Sequence, residues 1–245
     1  MTLLLSKPKM ELILGDCLKI LPTIPDKSID LILTDPPYGI GFCSSRTSRK
    51  EKIQNDGYND WLDLIHQVLP EFKRVLTDTG CCCCGGGGGG KTPVTAIFTM
   101  EAIKHFNLIQ TLVWKKFIGL GWRYRPSYEN IVVLSKDDKN YNFYDTSKKC
   151  SNVIEGINQD IPEYKKDNGR AYDEHPTQKP VALMKHLLSI HSLPEHTVLD
   201  PFAGSFTTGV ACKEMGRNFI GVELKQEYYD YGVNRLKEAT TELFI

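Results

Sequence analysis

A chain of 245 residues is long enough for one large α/β domain or two small ones, and its 41% hydrophobic and 24% charged residues are typical of a soluble globular protein. Its formal net charge is zero, so any binding to a polyanion would need a local basic surface. No apolar run is long enough to cross a bilayer, and residues 1–5 are too short for the apolar region of a signal peptide. We therefore expect a cytoplasmic protein without a membrane partner, whose eight cysteines stay reduced.

The first strand is predicted at Met10–Leu14 and the second at Ile29–Thr34, because both runs are short and apolar. Between them, Asp16 follows the first strand. Taken alone, it is interpreted as the N-cap of a short helix over residues 17–21. A carboxylate is therefore expected at the carboxyl end of the first strand.

The second strand is followed at once by Asp35-Pro36-Pro37-Tyr38. Two successive prolines cannot extend a sheet, because each lacks an N–H donor and has a fixed φ. The chain must turn here, which leaves a carboxylate, bare carbonyls and an aromatic ring at a strand end. Open α/β sheets bind ligands in the crevice outside such ends. A strand-ending turn with a packing tyrosine explains this stretch alone equally well.

Residues 39–57 are polar and lack periodicity, and a loop of this length in a compact domain is often functional. We interpret it as a mobile lid or a nucleic-acid contact loop through Arg46, Arg49 and Lys50; a solvated loop is an equal alternative. A helix is predicted over residues 59–76, capped by Asn59 or Asp60, kinked by Pro70 and ended by residues 79–80.

Cys81–Cys84 predict a central strand, because cysteines that alternate between its two faces cannot close on one tetrahedral metal ion. The glycine run that follows matches a phosphate-binding loop through Gly85, Gly90, Lys91 and Thr92. A phosphate-loop nucleotide hydrolase is therefore an alternative of another class. Against it, the strand predicted at residues 131–134 is followed by Ser135 and Lys136, and Asp137 comes too late to be the acidic partner for magnesium.

Further strands are predicted at residues 108–114 and 131–134, and basic and aromatic residues alternate between them. This mixture suits phosphate contacts and base stacking, with a solvated loop as the alternative. The candidate DNA contacts there are Lys115, Lys116, Arg123 and Arg125. Residues 136–175 are polar and irregular, and we interpret them as a small target-recognition insert within a single domain over residues 1–245.

The last third predicts a strand at Thr197–Asp200, a tight turn over residues 201–205, a helix, and a strand at Asn218–Glu223. In nucleotide-type sites such a turn lets the ligand approach the backbone, and the acid at the next strand end binds the ribose. The separation of Asp200 and Glu223 agrees with the spacing of about 20 residues expected for that arrangement.

Taken together, these segments resemble the amino-methylating DNA methyltransferases that use S-adenosylmethionine (AdoMet), in the subgroup whose catalytic motif precedes the cofactor motif. The resemblance is carried by Gly15-Asp16-Cys17, Asp35-Pro36-Pro37-Tyr38, Arg125–Asn130, His175–Pro180, and Asp200–Gly209 with Gly221–Glu223. It implies a Rossmann-like three-layer α/β fold with a seven-stranded, mostly parallel sheet and a circularly permuted motif order. Asp35, Pro36, Pro37 and Tyr38 would then be catalytic.

The resemblance also assigns the cofactor contacts, with Glu223 at the ribose and Asp16 at the adenine amino group. It places the Phe202–Ser205 turn and Lys179 around the methionine part. The full set of expected cofactor residues is Asp16, Cys17, Asp35, Lys179, Asp200, Phe202, Ala203, Gly204, Ser205 and Glu223. Phe206 stands where the family usually has a second glycine, and we expect it to reshape the methionine end of the pocket.

Aspartate at position 35, rather than serine, favours adenine N6 over cytosine N4 as the acceptor, on the strength of the resemblance. The expected partner is double-stranded DNA, with the target base flipped out of the duplex. We also consider a homodimer as the assembly of the protein. The resemblance fits an enzyme of a restriction-modification system or of a phage. A nucleic-acid-binding module that keeps only the fold is the remaining alternative.

Overall fold

The structure is a computed structural model that describes residues 7–38, 57–85, 93–116, 127–157 and 178–240. Eight strands of these ranges form one sheet: β1 Met10–Leu14, β2 Ile29–Thr34, β3 Leu76–Gly85, β4 Asn107–Lys115, β5 Tyr128–Ser135, β6 Val153–Ile154, β7 Thr197–Asp200 and β8 Asn218–Glu223. The α-helices are α1 Cys17–Ile20, α2 Tyr58–Val75, α3 Val94–Ala102, α4 Val181–His191, α5 Thr207–Glu214 and α6 Gln226–Glu238. No helix within these ranges is long and apolar enough to cross a membrane.

The strand order is β1-β8-β7-β2-β3-β5-β4-β6. The first five strands of that order are parallel, β5 is antiparallel to both neighbours, and β6 is parallel to β4. The unit β7-α5-β8 extends the sheet to one side and the unit β2-α2-β3 extends it to the other. The switch point between β7 and β2 is where an open α/β sheet leaves a crevice for ligands.

The prediction of a mostly parallel Rossmann-like sheet is confirmed, but the strand number of seven is wrong, because the described sheet has eight strands. The additional strand, β6, pairs Val153 and Ile154 with Val113 and Trp114 of β4. Two residues in a polar segment carry no readable periodicity, so this strand could not be found from the pattern.

Two apolar cores lie on the two faces of the sheet, which gives the three layers that were predicted. One core joins α2 and α3 to the sheet, and the other joins α4, α5 and α6 to it. Cys82 and Cys84 belong to the first core, while Cys81 and Cys83 belong to the second, as expected for a central strand. Burial raises the pKa of the Cys82 and Cys83 thiols well above their ordinary value, so both stay protonated.

The boundaries of α2 differ from the prediction. The helix begins after Gly57 and has no side-chain cap, so neither Asn59 nor Asp60 has the predicted capping role. It leads directly into β3 at Leu76, and residues 79–80 therefore lie inside a strand rather than ending the helical segment. The early part of β3 pairs with β2 through a register shift, which no simple alternation of residue types could show.

The first part of the predicted recognition insert packs against the body of the protein. The backbone N–H of Asn142 donates to the Thr79 carbonyl at 2.8 Å, and its side-chain amide donates to the Asp30 carbonyl at 3.2 Å. Asp30 lies near the amino end of β2, at the opposite edge of the sheet from Asp35. Trp114 Nε1 then donates to the carbonyl of Ile157 at 2.7 Å, which ties the later part of the insert to the carboxyl end of β4. The recognition role of residues 136–175 stays a prediction.

Candidate active site

The acidic residues that the sequence placed at strand ends come together at one edge of the sheet. Because β1, β8, β7 and β2 are parallel and adjacent, Asp16, Glu223, Asp200 and Asp35 follow or end their strands on the same side. This carboxyl edge contains the switch point between β7 and β2. The predicted catalytic motif and the predicted cofactor motif therefore lie at the same edge of the sheet.

Asp200 links the two strands at the switch point, β7 and β2, through hydrogen bonds. Thr34 donates its hydroxyl hydrogen bond to Asp200 Oδ1 at 2.7 Å, and Thr208 donates to Oδ2 at 2.7 Å. The backbone N–H of Phe202 donates to Oδ1 at 3.2 Å. Burial raises the pKa of Asp200 to about 6, against these hydrogen bonds. Asp200 thus joins β7 to β2 and α5, while a direct contact with the cofactor stays a prediction.

Glu223 is held by the turn that follows β7. The N–H of Gly204 donates to its Oε2 and the N–H of Lys225 donates to its Oε1, each at 2.8 Å. Gly204 has a φ of +51°, a conformation that glycine adopts without strain. Burial raises the pKa of Glu223. With a third backbone hydrogen bond from Leu224, the carboxylate uses three of about four acceptor sites and keeps capacity for a ribose hydroxyl. The arrangement fits the nucleoside part of AdoMet.

Asp16 confirms the local prediction of a helix N-cap, because its Oδ1 accepts the N–H of Leu18 at 3.0 Å. The N–H of Gly15 donates to the carbonyl of Glu223 at 2.8 Å, which holds the ends of β1 and β8 side by side. Cys17 is 7% exposed and packs into the core, and burial raises the pKa of its thiol to about 12. Contacts of Asp16 and Cys17 with the cofactor remain predictions.

Asp35 ends a row of alternating charges that we call the charge row, formed by Lys116, Glu129, Lys179 and Asp35. Lys179 Nζ donates to Asp35 Oδ2, and Tyr38 donates its hydroxyl hydrogen bond to Asp35 Oδ1. Lys179 Nζ also lies 3.5 Å from Glu129 Oε2, and Lys116 Nζ pairs with Glu129 Oε1. The structure therefore joins Lys179 to the predicted catalytic motif, and its expected contact with the methionine part of the cofactor stays a prediction.

Burial and neighbouring charges set the protonation states of Lys179, Glu129 and Tyr38. Burial alone would lower the pKa of Lys179, but the negative charges of Asp35 and Glu129 raise it well above its ordinary value. Burial alone would raise the pKa of Glu129, but Lys179 and Lys116 lower it. Burial and the charge of Asp35 raise the pKa of Tyr38. At neutral pH Lys179 and Glu129 are therefore charged, and the phenol of Tyr38 beside them is neutral.

Gly85 is a site residue that sequence reasoning assigned to a different motif. It ends β3 beside β2, and a β-carbon there would collide with Asp35 Oδ1 and lie 3.1 Å from the Tyr38 hydroxyl. A side chain at this position would displace the Asp35 carboxylate. The match to a phosphate-binding loop concealed this role, because Gly85 is the first of six consecutive glycines. Gly90, Lys91 and Thr92 lie outside the described residues.

The two described lysines among the predicted DNA contacts differ. The side chain of Lys115 is 62% exposed and pairs with Glu155 at 2.8 Å, so it can reach a phosphate. The side chain of Lys116 is 19% exposed, pairs with Glu129, and lies 5.2 Å from the centre of the Trp114 ring. The remaining predicted DNA contacts, Arg46, Arg49, Lys50, Arg123 and Arg125, lie outside the described residues.

The ring of Phe206 packs into the core, and its expected effect on the methionine end of the pocket stays a prediction. Phe206 is fully buried with a φ of +54°, and its ring meets those of Phe219 and Tyr229 edge to face at 6.2 and 5.8 Å. The ring lies directly against Gly232 of α6, where a β-carbon would overlap it. A small residue opposite Phe206 therefore compensates for the aromatic ring in the turn.

Known proteins with similar sequences identify the family. A family model described as DNA methylase, for N6 and N4 methyltransferases, matches residues 29–234. The chain is 32% identical over 251 residues to the DNA adenine methyltransferase YhdJ of Escherichia coli K12. The match covers 92% of this chain and 82% of the relative.

Solved structures show a similar fold. The complex of M1.HpyAVI with SAM has a TM-score of 0.66 and 23% identity, and the match covers 93% of this chain and 99% of that one. The cytosine-N4-specific PvuII DNA methyltransferase has a TM-score of 0.70 and 20% identity, covering 94% of this chain and 87% of that one. At these identities the likeness concerns the fold.

Proposed function

The chain belongs to the DNA methylase family, and we propose that it transfers the methyl group of AdoMet to N6 of adenine in double-stranded DNA. One observation carries the proposal. Asp35-Pro36-Pro37-Tyr38 follows β2 at the switch point, next to the strand whose turn binds the carboxylate of Glu223. An acceptor base at Asp35 and a donor at that turn would meet across one crevice.

The amino group of a nucleobase is a poor nucleophile, because its lone pair is delocalised into the ring. The Asp35 carboxylate and the Pro36 carbonyl can accept its two hydrogens and so localise the lone pair on nitrogen. Asp35 keeps acceptor capacity, because Tyr38 and Lys179 each use a different oxygen. The prolines bring no N–H donor that would compete for these acceptors.

When bound, AdoMet supplies a methyl group already activated by a sulfonium. The task of the protein is to align nitrogen, methyl carbon and sulfur, and alignment of this kind contributes about 7–11 kcal/mol in favourable cases. A nitrogen–carbon bond forms as the carbon–sulfur bond breaks, and the amino group then loses a proton. Asp35 is placed to receive that proton, since it already accepts the N–H hydrogen bond.

Tyr38 is proposed to stack on the target base. Its hydroxyl is bound to Asp35 and Lys179 Nζ lies 5.8 Å from the centre of its ring, so the ring is held in one orientation beside the carboxylate. A base inside a duplex cannot reach this position, and flipping it out costs a few kcal/mol. Lys115 and the predicted arginines are the proposed phosphate contacts that would offset this cost.

Adenine is favoured by Asp35, on the family resemblance, and by the 32% identity to an enzyme named as an adenine methyltransferase. Cytosine N4 is the alternative acceptor, because the fold is also similar to that of a cytosine-N4-specific enzyme. The experiment below therefore distinguishes the two bases. The nucleotide-hydrolase interpretation gains no support, because Gly85 is explained by its packing against Asp35. Action in the bacterial or host cytoplasm, and a homodimeric assembly, stay predictions.

The direct test supplies tritiated AdoMet and unmethylated plasmid DNA to the purified chain, and then separates the labelled nucleosides. We expect label in N6-methyldeoxyadenosine, with no transfer by Asp35→Ala. Label in N4-methyldeoxycytidine would select the alternative. No label at all, together with ATP hydrolysis lost in Lys91→Ala, would select the nucleotide hydrolase. DNA binding that is indifferent to AdoMet, without transfer, would select the non-catalytic module.

A further inference from the structure

Glu129 lies at the centre of the charge row but has no part in the chemistry proposed above. It is the second residue of β5, opposite Trp114 of β4, and its side chain is 17% exposed. Its two oxygens face two different lysines, Lys116 on one side and Lys179 on the other. A largely buried carboxylate between two ammonium groups is held by electrostatics rather than by solvent.

Lys179 is shared between two carboxylates. Its ammonium donates to Asp35 and lies 3.5 Å from Glu129, on a four-carbon stem that has little stiffness of its own. A single contact would let the ammonium follow any movement of Asp35. A second carboxylate on its other side fixes the ammonium in place, and the ammonium in turn fixes the plane of the Asp35 carboxylate.

We propose that Glu129 is a positioning residue that acts through Lys179 to orient Asp35, with Lys116 as the counter-ion that holds Glu129. The proposal rests on the proposed function, since it requires Asp35 to accept the amino group of the target base. It removes Lys116 from the set of DNA phosphate contacts. The row of two lysines and two acids is neutral as a whole, so it orients Asp35 without adding net charge to the crevice.

Two consequences distinguish this role from simple stabilisation of the β4–β5 hairpin. An error of about an ångström in the position of Asp35 costs on the order of 100-fold in rate, and this loss falls on kcat. Loss of the Glu129 charge also lowers the pKa of Lys179, because one of the two charges that raise it is gone. A purely structural ion pair would change thermal stability without lowering kcat or shifting the pH dependence of kcat.

The experiment compares Glu129→Gln, Glu129→Asp and the matched control Glu214→Gln in AdoMet-dependent DNA methylation. Glu214 pairs with Lys185 at 2.8 Å and has a similarly buried side chain, but it ends α5 at the other edge of the sheet. We expect Glu129→Gln to lower kcat about 100-fold with KM for DNA and AdoMet unchanged. Glu129→Asp should recover part of the loss, and Glu214→Gln should keep the wild-type kcat.

The pH profile gives the readout that does not depend on stability. In Glu129→Gln we expect the alkaline limb of kcat to move to lower pH, because Lys179 loses its proton more easily when one of the two charges that raise its pKa is gone. A wild-type kcat in Glu129→Gln would overturn the proposal. The proposal would also be overturned if both Glu129 variants lost kcat equally, in proportion to their loss of thermal stability, while the pH dependence of kcat stayed as in the wild type.

The failure of this proposal and the failure of the proposed function give different results. If the wild type transfers methyl groups and only the Glu129 effects are missing, the role of Glu129 alone is wrong. If the folded wild type transfers no methyl group to any base, both proposals are overturned. Transfer to cytosine N4 leaves the Glu129 test intact, because Asp35 would accept that amino group in the same way. Should Glu129→Gln not fold, Glu129→Asp, which keeps the charge but shortens the side chain, is compared with Glu214→Gln by kcat, and a wild-type kcat in Glu129→Asp would then overturn the proposal.

Discussion

Gly85, the last residue of β3, packs against the carboxylate of Asp35, the first residue after β2, and leaves no room for a β-carbon between them. The contact makes the geometry of the catalytic motif depend on a neighbouring strand. It also explains why a glycine is needed where the buried cysteines of β3 end. The glycine run is thus tied, at its first residue, to the proposed active site.

Gly85→Ala is therefore expected to abolish most of the activity. A methyl group at this position collides with Asp35 Oδ1, and the resulting displacement should lower kcat by about 100-fold. The control is Gly57→Ala, since the nearest atoms there belong to the flexible side chain of Asp60 at 3.0 Å. Steady-state methylation assays decide between them. Full activity in Gly85→Ala would show that Asp35 tolerates displacement.

Lys115 and Lys116 should respond differently to replacement by methionine. Lys115 is exposed and is the proposed phosphate contact, so Lys115→Met should raise KM for DNA and reduce the slope of log affinity against log salt by about one. Lys116 belongs to the charge row, so Lys116→Met should lower kcat instead. Methylation kinetics at several salt concentrations separate the two effects. A raised KM for DNA in both variants would return Lys116 to the DNA contacts.

The raised pKa of Asp200 predicts that the stability of the fold depends on pH. Its pKa is about 6 in the folded protein against an ordinary 3.8, so the folded state holds a proton that the unfolded state has lost. Stability should therefore fall as pH rises from about 4 to about 6, by roughly 2 kcal/mol relative to Asp200→Asn. Urea unfolding of both proteins at each pH gives the difference. A difference that is constant with pH would mean that Asp200 titrates normally in the folded state.

Gly232→Ala should destabilise the fold although alanine is the better helix former. In an exposed helix this change would add roughly 1 kcal/mol of stability, whereas the β-carbon here overlaps the Phe206 ring and overpacking costs about 1–3 kcal/mol. The cost should shrink in a Phe206→Gly background, which removes the ring. Denaturant unfolding of the two single variants and the double variant measures this coupling. Additive effects would mean that the two positions do not interact.

The sequence predicted the parts of the site that are local to one strand end. Asp35 and Glu223 follow apolar runs, and parallel strands bring their carboxyl ends to one edge, so the crevice followed from the pattern. The N-cap role of Asp16 was equally readable, because a cap depends only on the next few residues. Cys81–Cys84 were also placed correctly as a central strand.

The charge row could not be predicted, because its contacts join residues that are distant in sequence. Lys179 meets Glu129 only because β5 lies antiparallel beside β3, and strand order is not written in any local pattern. The contact of Phe206 with Gly232 of α6 could not be predicted either, because the two residues are distant in sequence. The packing of Asn142 at the opposite edge was hidden for the same reason.

The most direct test of the account expresses the chain in a bacterial host that lacks its own DNA methyltransferases and measures modified nucleosides in the host genome. We expect N6-methyldeoxyadenosine at a defined sequence with the wild type. We expect none with the Asp35→Ala variant, whose unfolding temperature is first shown to equal that of the wild type. Methylation that persists in Asp35→Ala, or a genome without methylated adenine despite folded wild-type protein, would contradict the central role of Asp35 in adenine methylation.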